Sequence, residues 1–345
     1  MRRLMALLAL LSNAACATYT ITEDKVFTPI TAYQGIEGDE AIDLSLMWED
    51  AFRGDAPIMI EIEAWFDQKA SIEFEANELA PASVNHGFLD TDENAIAYTL
   101  LEREGEGQRP LIVHCGGNTA ARQDSGTPYG LKLIEFGDAF LFDYPGYGDS
   151  PGEASVETLQ AMARAVVDYV DEKASDGRQV ILWGHSLGGF VCADMASAFA
   201  RVDAVVLETS ARNAAEVADS ASPWFIKPFV KVSIEEAVSR FDNVAALDGV
   251  DVPILVLGAK RDKTLAVWLS RKLAGDLLDA GHNVTYQEFA GANHISVATD
   301  AMFRPVVEAF LMPLARNHAA LAGGLGAGGQ ANLKRAQRRS GHLAY

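Results

Sequence analysis

A chain of 345 residues, 49% apolar and 22% charged, is long and apolar enough to bury the core of one large α/β domain or of two ordinary ones. Its formal net charge of −20 argues against nucleic acid as a partner, because phosphate binding needs clustered Lys and Arg. Residues 18–107 carry 21 Asp/Glu against 4 Lys/Arg, and without a D-x-D-x-D-G loop this excess reads as a solvated face rather than a cation site.

The first 17 residues have the layout of an export signal: Arg2-Arg3, the apolar run Leu4 to Leu11, then Ala14-Ala15-Cys16-Ala17. That run is too short to span a bilayer as a helix. Ala15-Cys16-Ala17 fits ordinary cleavage before Thr18. Ala14-Ala15-Cys16 instead resembles the end of a bacterial lipoprotein signal, in which Cys16 becomes the lipidated first residue, although Asn13 stands where such signals usually carry Leu. The expected location is the cell envelope, membrane-anchored through Cys16 or else periplasmic or secreted. After removal, Cys115 and Cys192 are the remaining cysteines. They are expected as buried core thiols, with a disulfide as the alternative that an exported location permits.

Residues 18–56 are polar and acidic and suit a tether or a loose edge. Pro57 to Ala76 fits a strand and a helix about equally and is left open. From Gly87 the pattern becomes regular. Strands are expected at Ala95–Leu101, Leu111–His114 and Phe136–Asp143, followed by the loop Tyr144 to Gly152 and a helix from Ser155 to about Lys173. Val180 to Trp183 reads as a strand, Phe190 to Ala200 as a helix, and Ala204 to Leu207 as a strand. Residues 211–249 break the rhythm around Trp224, Phe225, Ile226 and Phe229, as a short lid or an ordinary helical connection would. Pro253–Leu257 is a further strand, Leu265–Ala280 a helix, Val284–Phe289 a strand and Ser296–Leu311 a closing helix. Strands alternating with helices predict an α/β fold, a mostly parallel sheet with helices on both faces. From Ala319 the chain is Gly/Ala-rich and then basic, and reads as a disordered tail.

Gly184-His185-Ser186-Leu187-Gly188 lies between a buried strand and a helix and fits the G-x-S-x-G nucleophile elbow. A serine hydroxyl needs an adjacent base, and the base needs a third group to fix its tautomer. In such a sheet these groups belong in loops at the carboxyl ends of strands. His294 follows the last strand and Asp262 follows the Ile254–Leu257 strand, so the order Ser186, Asp262, His294 is the one that accompanies an elbow. Glu208 ends an earlier strand and is the alternative carboxylate. The oxyanion would be held by Leu187 N–H and by a donor from His114-Cys115-Gly116-Gly117-Asn118, either Gly116 or, failing that, Gly117. No metal or organic cofactor is expected, since no His/Cys/Asp cluster has ligand spacing.

From about residue 88 to 315 the chain resembles the α/β-hydrolase family. His114-Cys115-Gly116-Gly117-Asn118 stands for its His-Gly loop and Asp143-Tyr144-Pro145-Gly146-Tyr147-Gly148-Asp149-Ser150 for its D-x-x-G-x-G-x-S segment. The second segment is most similar to that of the BEM46-like serine hydrolases, and Cys115 departs from the His-Gly pattern. The expected organisation is a signal at 1–17, an acidic extension at 18–86, an α/β-hydrolase domain at 87–318 with a lid at 211–249, and a tail at 319–345. The expected activity is carboxylesterase-like or lipase-like hydrolysis of a small acyl substrate through an acyl-enzyme. Thioester or amide cleavage, and a non-catalytic envelope binding protein on the same fold, stand as alternatives.

Overall fold

In the computed structural model, residues 17–29, 83–91, 94–103, 108–122, 126–222 and 230–324 are described. Cys16 and the rest of the signal, the ambiguous stretch at 57–76, the Trp224–Phe229 part of the lid and the basic tail lie outside them.

Among the described residues, eight strands form one sheet in the order β10-β9-β7-β6-β4-β5-β3-β2. They are β2 (Ser83–Asp90), β3 (Ala95–Glu102), β4 (Leu111–Cys115), β5 (Asp138–Phe142), β6 (Val180–His185), β7 (Val202–Glu208), β9 (Ile254–Ala259) and β10 (Val284–Phe289). From β5 through β4, β6, β7 and β9 to β10 every pairing is parallel, while β2–β3 and β3–β5 are antiparallel. Strands β4, β5 and β9 are buried at every position, which is why they read as continuous apolar runs. The chain leaves β4 towards β5 on one side and returns to β6 on the other. That reversal opens a crevice above the carboxyl ends of β4 and β6.

Helix boundaries follow local chemistry. Helix α3 (Val156–Lys173) starts where expected, because Ser155 and Thr158 form a reciprocal capping box, and it buries Val156, Leu159, Met162, Ala163, Val166 and Val170. Helix α4 (Leu187–Ala198) follows β6 directly. Helix α7 (Trp268–Asp279) begins three residues later than its apolar pattern suggests. Asp262 Oδ1 accepts Thr264 N–H and Leu265 N–H, at 2.9 and 2.7 Å, and holds those residues in the loop. The closing helix is split: Val297–Thr299 forms a short 3-10 turn, Asp300 Oδ1 accepts Met302 N–H, and α8 then runs Phe303–Gly324. It therefore reaches past Ala319, where a disordered tail is expected.

Several elements escape the sequence pattern, and two of them show why. Strand β2 is an edge strand with one buried apolar residue, Leu89, and Phe88 beside it is exposed, so its sequence carries too little apolar alternation to read. The second lies in the polar N-terminal stretch, whose first part is no tether. Strand β1 (Ala17–Ile21) pairs in parallel with β8 (Val230–Ile234), inside the 211–249 insertion. The short helix α1 (Glu23–Val26) follows, and Phe27 is buried edge-on to Phe241, 6.1 Å between ring centroids. Glu23 Oε1 accepts Val156 N–H at 2.6 Å, one of the donors left free at the start of α3.

Cys115 and Cys192 are not free thiols but form a disulfide, with Cα atoms 6.0 Å apart, joining the end of β4 to α4. The bridged cysteines are 77 positions apart, for which loop-closure entropy corresponds to about 4.5 kcal/mol. The double variant Cys115→Ala/Cys192→Ala is accordingly expected to unfold at clearly lower denaturant concentration than the oxidised wild type. Equal midpoints would show that the bridge adds no stability.

Candidate active site

Ser186 lies at the tip of the strand–helix turn with φ 53° and ψ −116°, in the left-handed half of backbone space where a non-glycine residue is rare. Small neighbours make this path possible. A Cβ on Gly184 would lie 2.3 Å from Gly188 O, and one on Gly188 would lie 2.0 Å from Cys115 O. Both glycines are required by close approach, as the elbow pattern implies.

His294 and Asp262 arrive from the loops after β10 and β9. His294 Nδ1 and Asp262 Oδ2 are 2.7 Å apart, with the Asp262 side chain almost completely buried. Because Asp262 Oδ1 is occupied by two backbone N–H groups, Oδ2 is left to face the ring. Nδ1 is then the protonated nitrogen and Nε2 the basic one, the tautomer that general-base chemistry requires. The His294 ring stands 5.0 Å from that of His185, the residue before Ser186. His185 is turned towards the backbone of His294: its Nε2–H donates to the His294 carbonyl at 2.9 Å. Burial and the neighbouring His294 charge lower the His185 pKa to about 4, so it serves as a neutral donor.

Glu208, the alternative carboxylate, is placed differently. It is fully buried, and its Oε2 accepts hydrogen bonds from Tyr129 OH and Trp183 Nε1. Among the described residues, its Oε1 has no hydrogen-bond partner. Burial raises its pKa despite these donors and the nearby His294. A carboxyl whose folded pKa lies above its unfolded value stabilises the fold below the unfolded range, and this contribution is lost as pH rises through the folded pKa. Glu208→Gln keeps one acceptor for both donors and does not titrate. Its melting temperature relative to wild type is expected to rise between pH 5 and pH 8, as thermal denaturation at the two pH values would show. A relative fall at pH 8 would contradict the raised pKa.

The expected oxyanion donors border the elbow. Leu187 is the first residue of α4. Gly116 directs its carbonyl to Tyr144 OH at 2.6 Å, while a Cβ on Gly117 would stand 3.7 Å from Ser186 Cβ. Asn118 continues this loop as a bracket. Its Oδ1 accepts Thr28 N–H and Tyr147 OH, and its Nδ2 donates to Val26 O and Thr28 Oγ1. The two tyrosines of the Tyr144–Tyr147 segment therefore grip the loop after β4. The segment is itself fixed by Asp143, whose carboxylate accepts the backbone N–H groups of Arg122 and Asp149 and pairs with the Arg122 guanidinium at 3.2 Å. These supporting roles were missed from sequence. The available signal was two tyrosines inside a Gly/Pro loop, where aromatic side chains have no local reason to be.

A parallel-centred sheet, an elbow serine at its crest and a His–Asp pair on the adjoining loops define the α/β-hydrolase fold, and the chain has that fold. A family model described as "Alpha/beta hydrolase family" matches residues 111–239. The chain is similar to the Mus musculus protein named lysophosphatidylserine lipase ABHD12, 30% identical over 184 residues, 47% of this chain and 44% of that one. It is also similar to Homo sapiens protein ABHD12B, 28% identical over 191 residues, 51% of each chain. An esterase from Pyrobaculum calidifontis shares the fold with a TM-score of 0.55 at 17% identity, covering 82% of this chain and 99% of the esterase. The chain spans about half the length of the curated relatives it matches.

Proposed function

We propose that the protein is a serine hydrolase that cleaves a carboxylic ester through an acyl-enzyme. The observation that carries this reading is the His294–Asp262 contact of 2.7 Å on the loops beside an elbow serine with positive φ. Ser186 Oγ attacks the acyl carbon as its proton passes to His294 Nε2, and the carbonyl oxygen becomes an oxyanion held by Leu187 N–H and the Gly116–Gly117 loop. Collapse of the intermediate breaks the bond to the alcohol oxygen, which takes the proton from His294. Water then repeats the sequence on the acyl-enzyme and releases the carboxylic acid and free Ser186. The relatives named as lipases and the esterases of the same fold support an ester rather than an amide.

The proposed location is the cell envelope, with Cys16 as a lipidated first residue. Cleavage before Cys16 leaves β1 whole, whereas cleavage before Thr18 removes Ala17, the strand's first paired residue. Among the described residues no helix is long and apolar enough to cross a membrane. Cys16→Ser should move the mature protein from the membrane fraction to the soluble fraction, and unchanged partitioning would remove the anchor from the account.

Hydrolysis of p-nitrophenyl esters of graded acyl length, beside the matching anilides, tests the activity. Wild type should turn over at least one ester faster than its anilide, and Ser186→Ala should remain at background. Absence of ester turnover by folded protein, or equal turnover by both proteins, would overturn the reading.

A further inference from the structure

The turn after β7 departs from ordinary backbone geometry. Among the described residues, two non-glycines have positive φ: Ser186 at 53° and Thr209 at 43°. For a β-branched residue this conformation is an outlier, and such strain persists where the surrounding structure holds it for a purpose. Glycine would take the same path without steric opposition. A threonine there calls for a reason in its side chain, and its hydroxyl supplies one.

Thr209 Oγ1 donates to the His294 carbonyl at 3.3 Å, beside the donor from His185 at 2.9 Å. The next residue turns the other way. Ser210 Oγ donates to the Ser186 carbonyl at 3.0 Å, and Glu208 O accepts Ser186 N–H at 2.9 Å. One turn therefore holds the backbone of the nucleophile at both its N–H and its C=O, and the backbone of the base at its C=O. The turn is itself anchored from three directions. Thr209 N–H bonds to Leu257 O at 2.8 Å, Ser270 Oγ to Ser210 O at 3.0 Å, and Asn243 Nδ2 to Ser210 Oγ and Ala211 O at 3.2 and 2.7 Å. Glu208, Thr209, Ser210 and Asn243 are all fully buried, so water does not compete for these bonds.

We propose that Thr209 and Ser210 are positioning residues, whose consecutive hydroxyls set the separation of Ser186 and His294 by gripping the main chain of each. Neither touches the substrate. The role rests on the hydrolase reading, and it predicts a rate effect without a binding effect, because small displacements of reacting groups cost about 100-fold when geometry is critical.

Three variants separate this role from a merely structural one. Thr209→Gly relieves the backbone strain and should melt no lower than wild type, yet lose about 10- to 100-fold in kcat with KM unchanged. Thr209→Val removes only the hydroxyl and should lose kcat similarly. Thr209→Ser restores the hydroxyl and should recover most of the activity. A proton NMR measurement of the His294 Nδ1–H resonance reads positioning without turnover, and should shift or broaden in Thr209→Val but not in Thr209→Ser. Wild-type kcat in Thr209→Gly and Thr209→Val would overturn the proposal. If wild type hydrolyses no ester, the hydrolase reading falls by itself. The NMR comparison then decides the positioning role, and an unchanged resonance in Thr209→Val overturns it.

Discussion

Asp262→Asn is expected to lower kcat by about four orders of magnitude, the scale found when a triad histidine is held in the wrong tautomer. The reason lies in the other oxygen of the carboxylate. Asp262 Oδ1 accepts Thr264 N–H and Leu265 N–H. In an asparagine the carbonyl oxygen must stay with these two donors, which leaves the amide nitrogen facing His294 Nδ1. Two donors cannot face one another. His294 would shift its proton to Nε2 and lose the lone pair that accepts the Ser186 proton. Folding should be little affected, since the two loop hydrogen bonds survive, and steady-state kinetics with a melting curve would show both results. A kcat within tenfold of wild type would mean that Asp262 does not orient the base, and would return attention to Glu208.

Ser186→Ala is expected to remove about six orders of magnitude of kcat, as loss of a nucleophile does when the rest of the constellation stays in place. Alanine keeps the Cβ, so the backbone at φ 53° and the packing of Gly184 against Gly188 are unchanged. Binding of an unreacted ester should therefore persist while turnover stops. Turnover that survives in this variant at more than a hundredth of the wild-type rate would place the chemistry at another residue.

Much of this architecture was legible because the central strands are buried on both faces and the elbow has a local signature. Strand β10 spans Val284–Phe289 as its apolar pattern indicates, and α3 begins after Ser155 because a capping box is a local device. The choice between Asp262 and Glu208 was less accessible. Each follows or ends a strand, and their difference depends on which way a side chain leaves the sheet. Glu208 pairs with His185 across the ladder and is directed to Trp183 and Tyr129, whereas Asp262 lies beyond β9 in a hydrogen-bonded turn. Thr209 and Ser210 carry no mark of their conformation, since φ is not written in residue type except for glycine and proline.

The N-terminal strap shows the opposite limit. Residues 17–28 are polar, and composition alone makes them a tether. Yet Asn118 bonds to Val26 and Thr28, some 90 positions away in the chain, and β1 pairs with a strand more than 200 residues later. Such contacts repay the ordering of a polar segment only after the main domain has formed, so no window of local sequence contains them. Cys115 and Cys192 belong to the same class. Their types and burial were readable, and their distance was not.

The most direct measurement of the central claim is reaction of the folded protein with a fluorophosphonate, followed by mass spectrometry of its peptides. One covalent adduct is expected, on the peptide that contains Ser186, absent in Ser186→Ala and formed much more slowly in His294→Ala. An adduct that survives Ser186→Ala, or no adduct on folded wild type, would contradict it.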